Sequence, residues 1–301
     1  MSKVYLLDTM FFIFRSFYAL PVKLTNAQGQ QTGAVLGVYK ALQHLVRTEN
    51  VTHCIAAFES PAPTFRSQLD SSYKANRPEA PQPLKAQIPL VMEMCRHLGI
   101  KTLNVSGYEA DDVLAALARR FSASGHEAVI VSNDKDLAQV LRFPRVSLLH
   151  LTGKKGEYQV LQAEDIPRVY GVSAEKIPAW LALMGDSADN IAGVKGIGEK
   201  TAAKLLSEHS LEELLNDASA GGPRFGEKLT AAKEQVLRNL ELTQICCDVP
   251  FAEEITLETA ALRTIDVERA REFFAEQQMK QAVSALDGML PADPTAADLW
   301  I

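Results

Sequence analysis

The chain has 301 residues, 47% of them apolar and 23% charged, the composition of a soluble globular protein with room for two domains. No apolar run approaches the roughly 20 residues that span a bilayer, and the opening Met1-Ser-Lys-Val-Tyr-Leu-Leu-Asp8 has no signal-peptide layout, so a cytoplasmic protein without a membrane partner is expected. Cys54, Cys95, Cys246 and Cys247 lack C-x-x-C spacing and matching histidines, which argues against zinc and a disulfide framework, while a formal charge of −6 argues against a simple basic surface for nucleic acid.

In chain order, the apolar run 4–7 ends at Asp8 and is followed by an aromatic segment, 11–18. The apolar positions Val35, Leu36, Val38, Tyr39, Leu42, Leu45 and Val46 predict an amphipathic helix over 33–46. A buried strand over 54–58 runs into Glu59. Segment 60–83 carries five prolines around Arg66, Tyr73, Lys74 and Arg77. It is too polar for a core and reads as a functional loop. A helix over 88–98 and a strand-like run over 100–105 lead into Ser106-Gly-Tyr-Glu109-Ala-Asp111-Asp112, which opens a helical Val/Leu/Ala run closing on Arg119 and Arg120. The strand 128–131 passes directly into Ser132-Asn-Asp134-Lys-Asp136, and 146–151 with 158–161 flank a hairpin turn at 152–156. Strands alternating with helices predict an α/β fold with a mostly parallel central sheet. Beyond about residue 165 only helical patterns remain, over 177–184, 201–206, 211–215, 228–240 and 267–279, followed by a Pro/Ala/Asp tail ending Asp298-Leu-Trp-Ile301, read as a packed terminus.

In a parallel sheet, ligands bind outside the carboxyl ends of the strands. Asp8, Glu59 and the Asp134/Asp136 pair each follow a predicted strand, and so does the Glu109/Asp111/Asp112 cluster. Asp186 and Asp189, three apart at the end of a helix, add a fifth contribution. A single Asp after a strand is usually a turn former, and a helix dipole accounts for one or two acids in a first turn. Nine carboxylates from five segments exceed both explanations. All-oxygen ligation without His or Cys selects Mg²⁺, Mn²⁺ or Ca²⁺. So many acids point to two ions, the arrangement that splits phosphodiesters. Two divalent ions would offset four of the negative charges and turn repulsion of phosphate into attraction.

Residues 191–206 superficially resemble a Walker A loop, but Glu199 separates Gly198 from Lys200 where that loop needs Gly-Lys-Ser/Thr in direct sequence. A helix–hairpin–helix fits better. Gly196 and Gly198 let the backbone approach a phosphate, N–H groups at the start of the Thr201 helix bind it, and Lys195, Lys200 and Lys204 add charge.

Four ordered motifs, Gly107-Tyr-Glu-Ala-Asp-Asp, Ser132-Asn-Asp-Lys-Asp, Leu183-Met-Gly-Asp-Ser-Ala-Asp-Asn and Gly193-Val-Lys-Gly-Ile-Gly-Glu-Lys-Thr, resemble the 5′-nuclease (flap endonuclease) superfamily, and within it the N-terminal 5′→3′ exonuclease domain of bacterial DNA polymerase I. The resemblance covers about residues 3–250. It implies a PIN-like nuclease core over 1–170 with a helical arch at about 60–88, a helix–three-turn–helix DNA-binding domain over 171–250, and a C-terminal helical extension and tail over 251–301. It implies that Asp8, Glu109, Asp111 and Asp134 hold mainly one Mg²⁺ or Mn²⁺ ion and Asp136, Asp186 and Asp189 a second, with Asp112 beside both. By the same match Lys74 and Arg77 polarise the scissile phosphate, Tyr73 stacks on a base, and Arg15 and Arg66 lie near phosphates. The match further implies that the glycine hairpin grips duplex DNA, with a K⁺ ion bound by backbone at Val194 and Ile197. The implied activity is removal of 5′ flaps and 5′ ends of duplex DNA in replication and repair, by a monomer with a DNA polymerase as candidate partner. Two departures stand out. Glu59 replaces the family's usual Asp, and no polymerase follows Ile301, as in a stand-alone nuclease or an excised domain. A structure-specific DNA-binding protein with weakened catalysis and a related metal-dependent ribonuclease are the alternative readings.

Overall fold

Alternation along one strand decides the layering. In β1 (Lys3–Asp8) the side chains of Val4 and Leu6 enter one hydrophobic cluster and those of Tyr5 and Leu7 enter another, because successive residues of a strand point to opposite faces. A sheet buried on both faces needs near-continuous apolar strands, and this chain supplies them. The fold is that of a computed structural model, described for residues 1–19, 24–152, 157–250 and 254–287. The hairpin tip at 153–156 and the tail that includes Asp298–Ile301 lie outside the described residues.

After β1 come α1 (Thr9–Ala19), α2 (Gly33–Glu49), β2 (Cys54–Ala57), α3 (Phe65–Leu69), α4 (Gln82–Lys85), α5 (Gln87–His97), β3 (Lys101–Leu103), α6 (Ala110–Ala123) and β4 (Glu127–Val131). The hairpin β5 (Val146–Leu151) and β6 (Tyr158–Leu161) follows, then α7 (Ile166–Tyr170) and α8 (Ile177–Met184). A short ladder of β7 (Gly185–Asp186) and β8 (Ile191–Ala192) precedes α9 (Glu199–Glu208), α10 (Leu211–Asn216), α11 (Gly222–Ala231) and α12 (Lys233–Thr243). The described chain closes with α13 (Leu257–Ala260), α14 (Val267–Glu276) and α15 (Lys280–Asp287).

The six-stranded sheet has the order β3-β2-β1-β4-β5-β6, parallel except for β6. Register sets the strand ends level: Asp8 pairs with Ala57 of β2, and Leu7 pairs with Val131 of β4. The segments carrying Asp8, Glu59 and Asp134 therefore leave the sheet at one edge. On one face, Val113, Leu114, Leu117 and Phe121 of α6 pack with Val4, Leu6 and Ile130. That cluster continues without a break into Leu181, Leu206 and Leu229 of the helical half.

The opposite face is covered by α2, α5 and the C-terminal helices. Phe274 is fully buried with its ring 5.1 Å from that of Tyr39, and Phe273, Ala282 and Leu286 join the same cluster. Burying one such phenylalanine contributes roughly 1.5–3 kcal/mol, so α14 and α15 are part of the core rather than an appendage. The helix expected over 267–279 stops at Glu276, where Gln278 turns left-handed (φ 55°) and starts α15. The helix expected over 228–240 is two helices broken at Ala232 (φ −91°, ψ 8°). Phe225 and Leu229 anchor the first in the core and Val236 the second.

Gly185 holds the ladder that presents Asp186. Its backbone (φ 79°, ψ 173°) is a glycine conformation, and a Cβ there would lie 2.3 Å from the Gly193 nitrogen. Gly185→Ala is expected to cost about 3 kcal/mol or more through backbone strain and overlap. Urea denaturation against the parent protein measures it, and an unchanged midpoint would mean that the ladder is not rigid.

Candidate metal centre and nucleic-acid interface

Each acid reaches the common edge by its own local device. The Asp8 carboxylate ends β1 and is held from two sides, accepting the Phe11 N–H at 3.0 Å and the Ser132 hydroxyl at 2.6 Å. Asp111 lies in the first turn of α6, where the helix dipole favours negative charge. Asp134 and Asp136 leave β4 in a tight turn, with the Asp136 N–H donating to Asp134 Oδ1 at 2.9 Å. Glu59 accepts the Ala110 N–H at 3.4 Å and remains open to the cavity. A cavity of about 710 Å³ opens here, lined by Asp8, Glu59, Glu109, Asp111, Asp134, Asp136 and Asp189. Asp136, Asp186 and Asp189 come together so closely that one oxygen from each lies within 4.8 Å of the others.

The charge of this crevice is unbalanced. Burial raises Asp8 to about 6, with Asp134 adding repulsion. Confinement in the cavity and the Glu109 charge raise Glu59 to about 7. Burial and Asp134 raise Asp136 to about 7, and Asp111 is held well above the ordinary carboxylate range by burial and its acidic neighbours. The buried Oδ1 of Asp136 has no hydrogen-bond partner. Oxygen donors that repel one another and leave a lone pair unused fit hard divalent cations.

Segment 60–88 is folded down onto the acids. Lys74 Nζ donates to Glu109 Oε1 at 2.8 Å and lies 4.0 Å from Asp189. Arg77 pairs with Asp189 and also donates to the Ala188 carbonyl. Burial opposes the Lys74 charge, but Glu109 and Asp189 outweigh it and hold the ammonium ionised. Lys74 is left-handed (φ 58°) with its N–H donated to the Asp189 carbonyl. Non-glycine residues adopt that conformation at a cost of about 1–2 kcal/mol. Asn76 and Asn190 lace the segment to the 186–190 loop through bonds to the Ser187 and Ser72 carbonyls.

Three expectations are corrected. Arg66, expected at a DNA phosphate, is 2% exposed. Its Nη1 and Nη2 grip Asp112 at 2.8 Å each, Nη1 also reaches Glu109 at 3.3 Å, and Nε and Nη2 donate to the Leu242 and Gln244 carbonyls. A guanidinium has five donors, and none is left for DNA. Asp112, expected beside both ions, is fully buried and spends its oxygens on Arg66, the Glu109 N–H and the Cys246 N–H. Tyr73, expected to stack on a base, is 8% exposed and gives its hydroxyl to Glu109 or Asp189, each 3.2 Å away.

Arg15 is exposed on α1. Lys195, Gly196, Gly198, Lys200 and Lys204 lie exposed on the hairpin, with Thr201 half-buried in the first turn of α9, which begins at Glu199 rather than Thr201. Val194 and Ile197 anchor the turn in the core, and the Ile197 N–H donates to the Val194 carbonyl at 2.9 Å. Sequence reasoning missed Lys135, which bridges Asp186 and Asp136, and Ser132, which fixes Asp8. A lysine between two aspartates was the available signal. It also gave no role to Met10, Phe11 and Phe14 of α1, which line the cavity.

An acidic crevice at the carboxyl edge of a parallel sheet, joined to a helical half with a lysine-bearing glycine hairpin, defines a metal-dependent nuclease. The chain belongs to the 5′-3′ exonuclease family: the family model for the N-terminal resolvase-like domain matches residues 3–171, and that for the C-terminal SAM fold matches residues 172–268. It is 35% identical over 95% of its length to a 5′-3′ exonuclease of Aquifex aeolicus, covering 96% of that protein. It is 36% identical over 91% of its length to DNA polymerase I of Mycobacterium tuberculosis, of which it spans only 30%. The fold is shared with the bacteriophage T5 5′-exonuclease bound to zinc (TM-score 0.67, 19% identity, 91% of this chain and 99% of that one). It is likewise shared with the bacteriophage T5 flap endonuclease in complex with DNA and metal ions (TM-score 0.67, 21% identity, 92% and 99%). Among the described residues, no helix is long and apolar enough to cross a membrane.

Two outcomes are expected. Arg66→Ala leaves Asp112 buried and unpaired and is expected to destabilise the fold by about 3–5 kcal/mol. Arg66→Lys restores little, since an ammonium cannot reproduce the fork. Chemical denaturation measures both, and a variant as stable as the parent with weakened DNA binding would return Arg66 to the phosphates. Asp8, Glu59 and Asp136 take up protons more readily in the folded protein than in the unfolded chain. Stability of the metal-free protein therefore falls as pH rises from about 4 to about 7, and divalent cation removes the loss. Thermal melts with and without EDTA test this, and a flat metal-free profile would contradict it.

Proposed function

We propose that this chain is a divalent-metal-dependent, structure-specific 5′ nuclease that hydrolyses phosphodiesters at 5′ flaps, nicks and 5′ ends of duplex DNA. The observation that carries this reading is the joining of an acid-lined cavity, overhung by Lys74 and Arg77, to an exposed lysine hairpin in one continuous fold. The reading divides the chain into a nuclease core (1–170), a DNA-gripping helical unit (171–250) and a C-terminal extension (251–301). It makes the protein a cytoplasmic monomer, with a DNA polymerase acting on the products.

Asp8, Glu59, Glu109, Asp111 and Asp134 are assigned to one Mg²⁺ or Mn²⁺ ion and Asp136, Asp186 and Asp189 to a second. When bound, such a pair supplies Lewis acidity at the phosphate and lowers the pKa of the attacking water. Lys74 and Arg77 exchange their carboxylate partners for phosphoryl oxygens and stabilise the charge that develops as water attacks in line. Phe11 and Phe14 give the cavity an apolar wall beside Asp8. The hairpin holds the duplex by its backbone: N–H groups at the start of α9 face a phosphate, and Lys195, Lys200 and Lys204 add charge without reading sequence. The turn from Val194 to Ile197 is the proposed seat of a backbone-bound K⁺ ion.

Single-turnover cleavage of a labelled 5′-flap duplex is the test. Cutting near the junction is expected in Mg²⁺ and none in EDTA. Asp134→Asn is expected to lose cleavage by about a thousandfold or more while binding in Ca²⁺ changes little. Equal loss of both would contradict the role given to Asp134, and tight binding without cutting in Mg²⁺ or Mn²⁺ would favour a DNA-binding protein.

A further inference from the structure

The second group of acids carries a cation of its own. Lys135 lies between Asp134 and Asp136, and its Nζ is 2.6 Å from Asp186 Oδ2 and 3.8 Å from Asp136 Oδ1. The other Asp186 oxygen accepts the Ala188 N–H at 2.9 Å, so the carboxylate is fixed while the ammonium sits on it. The first group differs. Its Glu109 pairs with Lys74 and Arg66, but among the described residues Asp8, Asp111 and Asp134 form no ion pair and Asp8 is held only by neutral donors, whereas all three acids of the second group are ion-paired.

We propose that Lys135 is an internal counter-cation for the Asp136/Asp186/Asp189 group, which it occupies when no metal is bound, so that the second ion binds more weakly than the first and only after the ammonium is displaced. The proposal rests on the assignment of those three acids to a second ion. Its physical basis is that an ion entering the group must break a charge-assisted hydrogen bond before it gains a ligand. The stem of Lys135 is flexible and its side chain 37% exposed, so the displaced ammonium has solvent to move into. Lys135 thus acts through the carboxylates as a positioning residue and sets the order in which the two groups fill.

The test is calorimetric titration of the metal-free protein with Mn²⁺ at about pH 8, where protons compete least, with bound ions counted by electron paramagnetic resonance. The parent protein is expected to bind two ions in two resolved steps. Lys135→Met is expected to tighten the second step roughly 10- to 100-fold, the scale of a lost charge-assisted hydrogen bond, and to leave the first within about threefold. Lys135→Arg keeps the charge and should keep the weak second step. Circular dichroism of each metal-free variant checks folding, and the charge-conserving variant preserves the comparison if Lys135→Met melts early. An unchanged or weaker second step in Lys135→Met, or equal tightening in Lys135→Arg, overturns the proposal. If the parent and both variants bind only one ion, the second-ion assignment itself has failed.

Discussion

Like charges forced together at the end of a sheet govern this structure. Parallel strands cut to one level bring Asp8, Glu59, Asp134 and the start of α6 to a single crevice, where burial strengthens every repulsion. The protein answers with cations from three places. Arg66 rises from α3 to hold Asp112 and Glu109, Lys74 and Arg77 come down on Glu109 and Asp189, and Lys135 sits against Asp186. Neutral donors and the N-terminus of α6 supply the rest. Asp8, Glu59, Asp111 and Asp136 remain incompletely compensated, and their raised proton affinities express it. A binding site for divalent cations is a place where the fold stops short of neutralising itself.

The edge was legible from the sequence because it needs only strand ends and the identity of the next residue. Apolar runs ending in Asp8, Glu59 and Asp134 give both facts. The direction of a long side chain is another matter. Arg66 and Asp112 have the right chemistry for a phosphate contact and a metal ligand, but they find each other 46 residues apart. Once paired, and with the Leu242 and Gln244 carbonyls added from 176 and 178 residues away, they have nothing left to offer a ligand. Tyr73 is similar: its local sequence says exposed loop, and the loop lies on the acids instead. Periodicity also misses the break at Ala232, since both halves are amphipathic and Phe225, Leu229 and Val236 recur at helical spacing across it.

Glu59 is the one acid whose type departs from the family resemblance. Its longer side chain spans from the end of β2 to the first amide of α6, a link that stitches the edge of the sheet to the helix carrying Asp111. The carboxyl remains open to the cavity, and its proximity to Glu109 gives it the same unbalanced charge as the acids around it. The substitution therefore keeps a negative group at this corner and relocates it by one methylene toward α6.

The pin formed by Arg66 has a consequence for the order in which the chain can assemble. Its partners are drawn from the start of α6 and from the exit of α12, so segment 60–88 cannot be fixed over the acids until residues 242–246 are available. The far face of the sheet likewise waits for Phe273, Phe274 and Leu286. On a ribosome, which delivers the N-terminal half first, β1 to β4 emerge with their acidic ends unsheltered and one face covered by α2 and α5 but not yet by α14 and α15. Loop closures of this length slow folding, and the nascent chain gains a closed catalytic crevice only when nearly all of it has been made.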